Sequence, residues 1–193
     1  MIDPKGRVVM VSGANRGIGA AIAKCLYDKG YTLSLGARDV SQVEALTVGW
    51  DADRVLLSAY DARDEFTAKG WVAQTVDQFG RLDGIVNNAA RYSDFTIECG
   101  DLDDLDDVLA VNIKGPLLLL RYGMPHLRKT GQGRVVNVAS MSGKRVVGKH
   151  VAYAMSKFAL MALTAQTRSD GWVMACGQQR CVPGLLQRKW LNR

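Results

Sequence analysis

Val8-Val9-Met10-Val11-Ser12 runs straight into Gly13-Ala14-Asn15-Arg16-Gly17-Ile18-Gly19, and from Ala20 to Lys29 the apolar residues recur with a helical period. The stretch predicts a buried strand, a glycine turn and a helix. Glycines let the backbone approach a pyrophosphate without a Cβ clash. The helix N-terminus behind them offers free N–H groups and the positive end of its dipole to phosphates. The spacing is G-x-x-x-G-x-G, whereas the usual dinucleotide fingerprint is G-x-G-x-x-G. Taken alone, the turn serves equally well as a tight strand-to-helix connection.

A second motif lies far downstream. Tyr153-Ala154-Met155-Ser156-Lys157 puts a phenol and an ammonium one helical turn apart, thirteen residues after Ser140. Side chains at i and i+4 share a helix face, so the cation can favour the phenolate. A tyrosine, normally protonated up to about pH 10, then becomes a general acid/base usable near neutrality. The five-residue pattern by itself is equally an exposed Tyr and Lys on an ordinary amphipathic helix.

Together with the glycine turn and Ser140, the pair makes the chain resemble the short-chain dehydrogenase/reductase family in its classical form. The resemblance runs from about Gly6 to about Trp172. Its motifs follow the family's order: the glycine turn, Asp61 after the third strand, Asn87-Asn88-Ala89-Ala90 after the fourth, Asn112 in the next helix, then Ser140, Tyr153 and Lys157. Ala90 stands where the family more often has glycine, a small departure since neither residue crowds a cofactor.

The resemblance implies hydride transfer between a nicotinamide and a small carbonyl or alcohol substrate. Tyr153 would exchange the proton with the substrate oxygen, and Lys157 would bind the nicotinamide ribose and favour the phenolate. Ser140 would hydrogen-bond the carbonyl where negative charge develops. Asn112 would hold a water in the proton relay. Gly13, Asn15, Arg16, Gly17, Ile18 and Gly19 would cradle the cofactor, with Asp61, Ala62, Asn88 and Ala89 lining its slot beside Tyr153 and Lys157. The second strand ends Leu35-Gly36-Ala37-Arg38, so the acidic residue that would accept the adenosine ribose hydroxyls of NAD is missing. Arg38 and Arg16 are placed to face a 2′-phosphate, which a guanidinium fork suits. NADP(H) is therefore expected over NAD(H), with Asp39 as the opposing charge.

Alternation organises the rest of the chain. Strands are predicted at Arg7–Val11, Thr32–Gly36, Val55–Ala59, Gly84–Asn87 and Arg134–Val138, and helices at Gly17–Lys29, Ser41–Val48, Asp64–Phe79, Leu102–Leu127 and Ala152–Arg168. That pattern gives an α/β fold, a Rossmann-like doubly wound parallel sheet of order 3-2-1-4-5, with ligands at the carboxyl ends of the strands. The acidic run from Asp101 to Asp107 reads as a solvated first helical turn that complements the dipole. Of the 193 residues, 48% are apolar and 23% charged, which suits one globular domain with a substantial core.

Other classes are disfavoured. The net charge is +6, but 173–193 carries four basic residues and no acidic one, leaving +2 for the rest. No basic stripe with interleaved aromatics marks a nucleic-acid partner. No apolar run reaches the ~20 residues of a membrane span, and Met1-Ile2-Asp3-Pro4-Lys5 lacks a signal-peptide apolar region, so a cytoplasmic protein is expected. Cys25, Cys99, Cys176 and Cys181 have neither C-x-x-C spacing nor histidine partners at zinc-site distances, so no metal site is expected and the thiols read as reduced. The resemblance also implies homo-oligomers among full-length relatives.

The resemblance stops abruptly after Trp172. The domain is expected to comprise 1–172, and 173–193 to be an aberrant basic tail. Val173 onward shows no strand-like alternation, so the family's last strands are expected to be missing. With one choice of synonymous codons, back-translating Val173 to Trp190 and reading two bases later gives DGVRATALCPGLVATEM, which looks like the missing strand and its Pro-Gly turn. The tail is thus expected to be a frameshift product. On that expectation a non-catalytic remnant that at most binds nucleotide is the alternative to an active reductase. A regulatory nucleotide sensor would have no use for the full Ser140, Tyr153 and Lys157 set.

Overall fold

The computed structural model describes residues 3–145, 148–169 and 173–176. Strands and helices alternate along the chain. The strands are β1 (Val8–Ser12), β2 (Thr32–Ala37), β3 (Val55–Ala59), β4 (Gly84–Asn87), β5 (Arg134–Val138) and β6 (Val173–Cys176). The α-helices are α1 (Gly17–Asp28), α2 (Ser41–Leu46), α3 (Glu65–Phe79), α4 (Leu102–Leu109), α5 (Gly115–Lys129) and α6 (Val151–Ser169).

All pairings are parallel, and the sheet order is β3-β2-β1-β4-β5-β6. The expected order 3-2-1-4-5 is present. Successive side chains of β1 alternate between two cores, as a pleat requires. Val9 and Val11 pack with Leu33, Leu35, Val86 and the α1 residues Ile22, Ala23 and Leu26. Met10 packs with Ile85, Val135, Trp71 of α3 and Leu118 and Leu119 of α5. Helices on both faces make the sheet doubly wound, and its strands are apolar throughout for that reason.

Three expectations need correction. The sheet does not end at the fifth strand. β6 pairs with β5 in the register Val135↔Val173 to Val138↔Cys176. Strand-like alternation is absent from these four residues, so it gives no sign of the strand. Val-Met-Ala-Cys is instead a short continuous apolar run, a pattern that also suits a strand of a parallel sheet. The sheet therefore continues past the boundary drawn at 172, while 177–193 lie outside the described residues. Secondly, the helix expected over Leu102–Leu127 is two helices joined by a π turn, Ala110–Lys114.

The third correction concerns the acidic run. Asp101 does cap α4, its carboxylate accepting from the Asp103 N–H. Asp104 and Asp107, however, are paired with guanidinium groups: Asp104 with Arg91, and Asp107 with Arg91 at 2.9 Å and with Arg63 at 3.3 Å. Among the described residues, no helix is long and apolar enough to cross a membrane. Cys25 and Cys99 are free thiols.

Candidate functional site

The glycine turn lies between the carboxyl ends of β1 and β4, and hydrogen bonds between those ends hold it. Ser12 Oγ accepts from the backbone N–H groups of Asn88 and Ala89, both at 3.0 Å. The Asn88 side chain donates back to the carbonyls of Ser12 (2.9 Å) and Gly13 (3.1 Å). Asn88 and Ala89 therefore brace the turn. Gly19 sits beneath it on α1, where a Cβ would fall 2.1 Å from the Gly13 carbonyl oxygen and 2.5 Å from Asn88 Nδ2. No residue with a side chain fits there.

Gly17 needs to be glycine for a different reason. Its φ is +56°, a conformation that L side chains rarely adopt, and a Cβ there would meet nothing within 4 Å. The space in front of α1 is open. Arg16, the residue before the helix, is extended and makes no side-chain cap, so the first-turn N–H groups have no capping oxygen and face that space. An open, glycine-lined cradle at an uncapped helix N-terminus fits a dinucleotide pyrophosphate. Ile18 turns the other way and packs against the core.

Beside the cradle, Asn15 Nδ2 donates to Gln42 Oε1 at 2.7 Å, and Gln42 Nε2 donates to Asp39 Oδ2 at 2.8 Å. Asp39 also accepts from the Ser41 hydroxyl at 2.6 Å and the Ser41 N–H at 3.1 Å. The Ser41 and Gln42 side-chain bonds hold its carboxyl below the usual carboxylate range. Its negative charge is thus engaged by α2. Arg16 and Arg38 are exposed, and among the described residues neither has a carboxylate within ion-pair distance.

At the end of β3, Asp61 is half-buried, and the paired hydrogen bonds of the Arg63 guanidinium hold its carboxyl below the usual range. Ala62 is buried against α5, where its side chain would contact any Cβ placed on Gly115. Arg63 bridges Asp61 to Asp107, and Asp107 leads on to Arg91. This ladder of charges ties the β3 end to α4 and to the loop after β4.

Asn112 lies in the π turn and is 1% exposed. Its Oδ1 accepts from the Arg91 N–H at 2.7 Å, and its Nδ2 donates to the Arg91 carbonyl at 2.8 Å and to Ser156 Oγ at 2.9 Å. Both amide hydrogens are spent on the protein. Four residues on stands Pro116, which has no N–H, so the normal α-helical bond to the Asn112 carbonyl cannot form. π turns commonly occur at functional sites. The Asn112/Pro116 spacing is a sequence signal for the break that the helical-period argument passed over. Ser12, Arg91 and Ser156 were likewise not singled out. Ser12 and Arg91 brace the site through backbone groups, and Ser156 through the Asn112 side chain, contacts that only the fold creates.

Ser140 follows β5 and is buried. Its Oγ accepts from the Ser142 N–H at 3.2 Å, which leaves the hydroxyl hydrogen free to donate. The short 3-10 turn at Met141–Gly143 lies tight against α6, since a Cβ on Gly143 would be 2.6 Å from the Lys157 carbonyl oxygen. Lys157 is 3% exposed and donates from Nζ to the Val138 carbonyl at 2.9 Å. Nζ lies 5.5 Å from the centroid of the Tyr153 ring. Burial pulls the Lys157 ammonium down to about 8. Among the described residues it has no carboxylate partner.

Glycine cradle, Asn88, Asn112, Ser140, Tyr153 and Lys157 thus all lie at or just beyond the carboxyl ends of β1, β4 and β5, or on the helices that follow. The family model for short chain dehydrogenase matches residues 7–185. This chain belongs to that family. Agropine synthesis reductase of Rhizobium rhizogenes is 41% identical over 170 residues, a stretch covering 88% of this chain and 39% of the relative. The chain therefore spans well under half the length of that protein. Levodione reductase of Leifsonia aquatica is 34% identical, with 82% of this chain and 61% of the relative covered. Among solved structures, a metagenomic short-chain oxidoreductase in complex with NADP superposes with a TM-score of 0.82 at 30% identity. It covers 91% of this chain and 82% of that one.

Proposed function

We propose that this chain is a nicotinamide-dependent oxidoreductase that interconverts a small carbonyl compound and its alcohol, with NADP(H) preferred over NAD(H). The observation that carries the reading is Lys157. A lysine 3% exposed, whose ammonium among the described residues bonds only to a backbone carbonyl, costs stability that packing does not return. Such a group beside a tyrosine at the sheet's carboxyl end is what proton chemistry needs.

The bound nicotinamide would supply or accept the hydride. Gly13, Asn15, Arg16, Gly17, Ile18 and Gly19 would hold the pyrophosphate at the α1 N-terminus, and Asp61, Ala62, Asn88 and Ala89 would line the remaining slot. Lys157 Nζ would reach the nicotinamide ribose. Ser140 would donate its free hydroxyl hydrogen to the substrate oxygen, and Tyr153 would pass its proton to the same atom as charge develops there. With its side chain committed, Asn112 would hold a relay water through its main-chain carbonyl, which Pro116 leaves without its helical donor. Two observations support NADP(H): Arg16 and Arg38 are exposed and, among the described residues, have no carboxylate within ion-pair distance, while Asp39 is occupied by Ser41 and Gln42. The NADP-bound structural neighbour points the same way.

The test is turnover of a ketone panel together with cofactor binding. NADPH should bind more tightly than NADH, and Arg38→Asp should erase the difference. Tyr153→Phe should abolish turnover while NADPH binding stays near that of the unaltered chain, because only the transferable proton is lost. Equal binding of the two cofactors by the unaltered chain refutes the cofactor assignment. Substantial turnover by the Phe variant removes Tyr153 from the chemistry.

A further inference from the structure

The loop that follows β4 is anchored at its start. Arg91 is fixed through both its backbone N–H and its carbonyl by Asn112, and through its guanidinium by Asp104 and Asp107. Ser93 bonds to Asp104 and accepts from the Phe95 N–H at 3.0 Å. The middle of the loop docks on the start of α6. Val151 N–H donates to the Phe95 carbonyl at 2.9 Å, and His150 Nδ1 lies 3.4 Å from Asp94 Oδ1.

Tyr92 lies between these anchors, and its ring meets two others. Its centroid is 4.9 Å from that of His150 at an interplanar angle of 52°, and 5.1 Å from that of Tyr153 at 57°. Both are tilted contacts within the favourable range for aromatic pairs. Tyr92 is nevertheless 55% exposed, so filling a core does not explain a large ring at this place.

We infer that Tyr92 is a positioning residue that holds the Tyr153 ring in the orientation its proton transfer requires. The inference rests on Tyr153 being the proton donor proposed above. α6 fixes the Tyr153 backbone, but the phenol still turns about its side-chain bonds. Its surroundings restrain that turning through Lys157 at 5.5 Å and through Tyr92. Tyr92 is itself held between two pinned points of the loop, Arg91 and Phe95. His150 backs the Tyr92 ring on the side of the helix start. The restraint is made by the ring, so the Tyr92 hydroxyl is not required for it.

Tyr92→Ala, Tyr92→Phe and Tyr153→Phe are compared in one turnover assay, with NADPH affinity and melting temperature measured alongside. Tyr92→Ala should lower kcat about 10-fold, within the ~10²-fold that a 1 Å misplacement can cost, while NADPH affinity and melting temperature barely move. Tyr92→Phe should restore kcat to within about twofold, since the ring contact survives. Unchanged kcat in Tyr92→Ala, or an equal loss in Tyr92→Phe, overturns the inference while leaving the reductase reading intact, provided Tyr153→Phe is inactive. An active Tyr153→Phe overturns both. Independently of activity, NMR of the unaltered chain with ring-labelled tyrosine should show a cross-peak between the Tyr92 and Tyr153 rings, assigned through the two Phe variants. Its absence also overturns the inference.

Discussion

Lys157 is the residue at which the physical cost of the site is concentrated. Burial is the whole cause of its lowered pKa, from 10.5 to about 8. In the unfolded chain the same group titrates near 10.4. Below about pH 8 both states are protonated and the full burial penalty is present. Between about 8 and 10.5 the folded chain has released the proton and the unfolded chain still holds it, so stability rises with pH across that window, by on the order of 3 kcal/mol at most. The cofactor-free chain should therefore resist thermal unfolding better, relative to Lys157→Met, as pH climbs from about 8 to 10.5. Parallel melting curves for the two proteins across that range would remove the assignment. That Lys157 shares a face with Tyr153 is readable from their i, i+4 spacing. The depth of its burial, and its bond to the Val138 carbonyl, depend on β5 and were not readable.

At the scale of elements, α1 and the glycine turn form one unit, and Gly19 is where the two meet. Helix propensity alone says Gly→Ala should stabilise a helix by about 1 kcal/mol. Here the added methyl would sit 2.1 Å from a backbone oxygen that cannot rotate away. Overpacking of that kind typically costs about 1–3 kcal/mol, so the clash wins. Gly19→Ala should lower the melting temperature and weaken NADPH binding together, since α1 must move off the turn to make room. A melting temperature equal to or above that of the unaltered chain would contradict the packing argument. The elements themselves were largely legible. β3, β4 and β5 have the expected bounds, and β1 and β2 differ by a residue at their ends. The break between α4 and α5 was not read, because apolar spacing continues across it. What breaks the helix there is a missing donor at Pro116 and the tertiary grip of Asn112 on Arg91.

For the whole molecule, the question is how the sheet ends. The expectation that the chain departs from its family at about 172 meets two findings: β6 at Val173–Cys176, and a family match that runs to residue 185. All nineteen acidic residues nevertheless lie before 173. The encoding DNA decides between these readings. On the frameshift proposal it should show, between the codons for about Ser169 and Met174, a one-base loss or two-base gain relative to a frame that reads as the family's sixth strand and Pro-Gly turn. A stop codon in that second frame within this region, or a second frame that encodes nothing like a strand, ends the proposal and leaves 173–193 as a divergent segment. The restored chain should also be the more stable and less aggregation-prone, since a better-formed edge strand covers β5.

By itself the sequence determined which residues are candidates for chemistry and in what order the elements come. Those properties depend on local spacing: a glycine turn before a helix, a Tyr and a Lys one turn apart, apolar runs of strand length. It determined the α/β class for the same reason. The tertiary structure alone decided what those residues touch. It set Asn88 and Ala89 against Ser12, committed the Asn112 amide to Arg91 and Ser156, turned Asp104 and Asp107 from solvated caps into ion pairs, and brought Tyr92 against Tyr153. These contacts join positions remote in the chain, at the ends of strands whose neighbours are fixed only when the sheet closes in its 3-2-1-4-5-6 order.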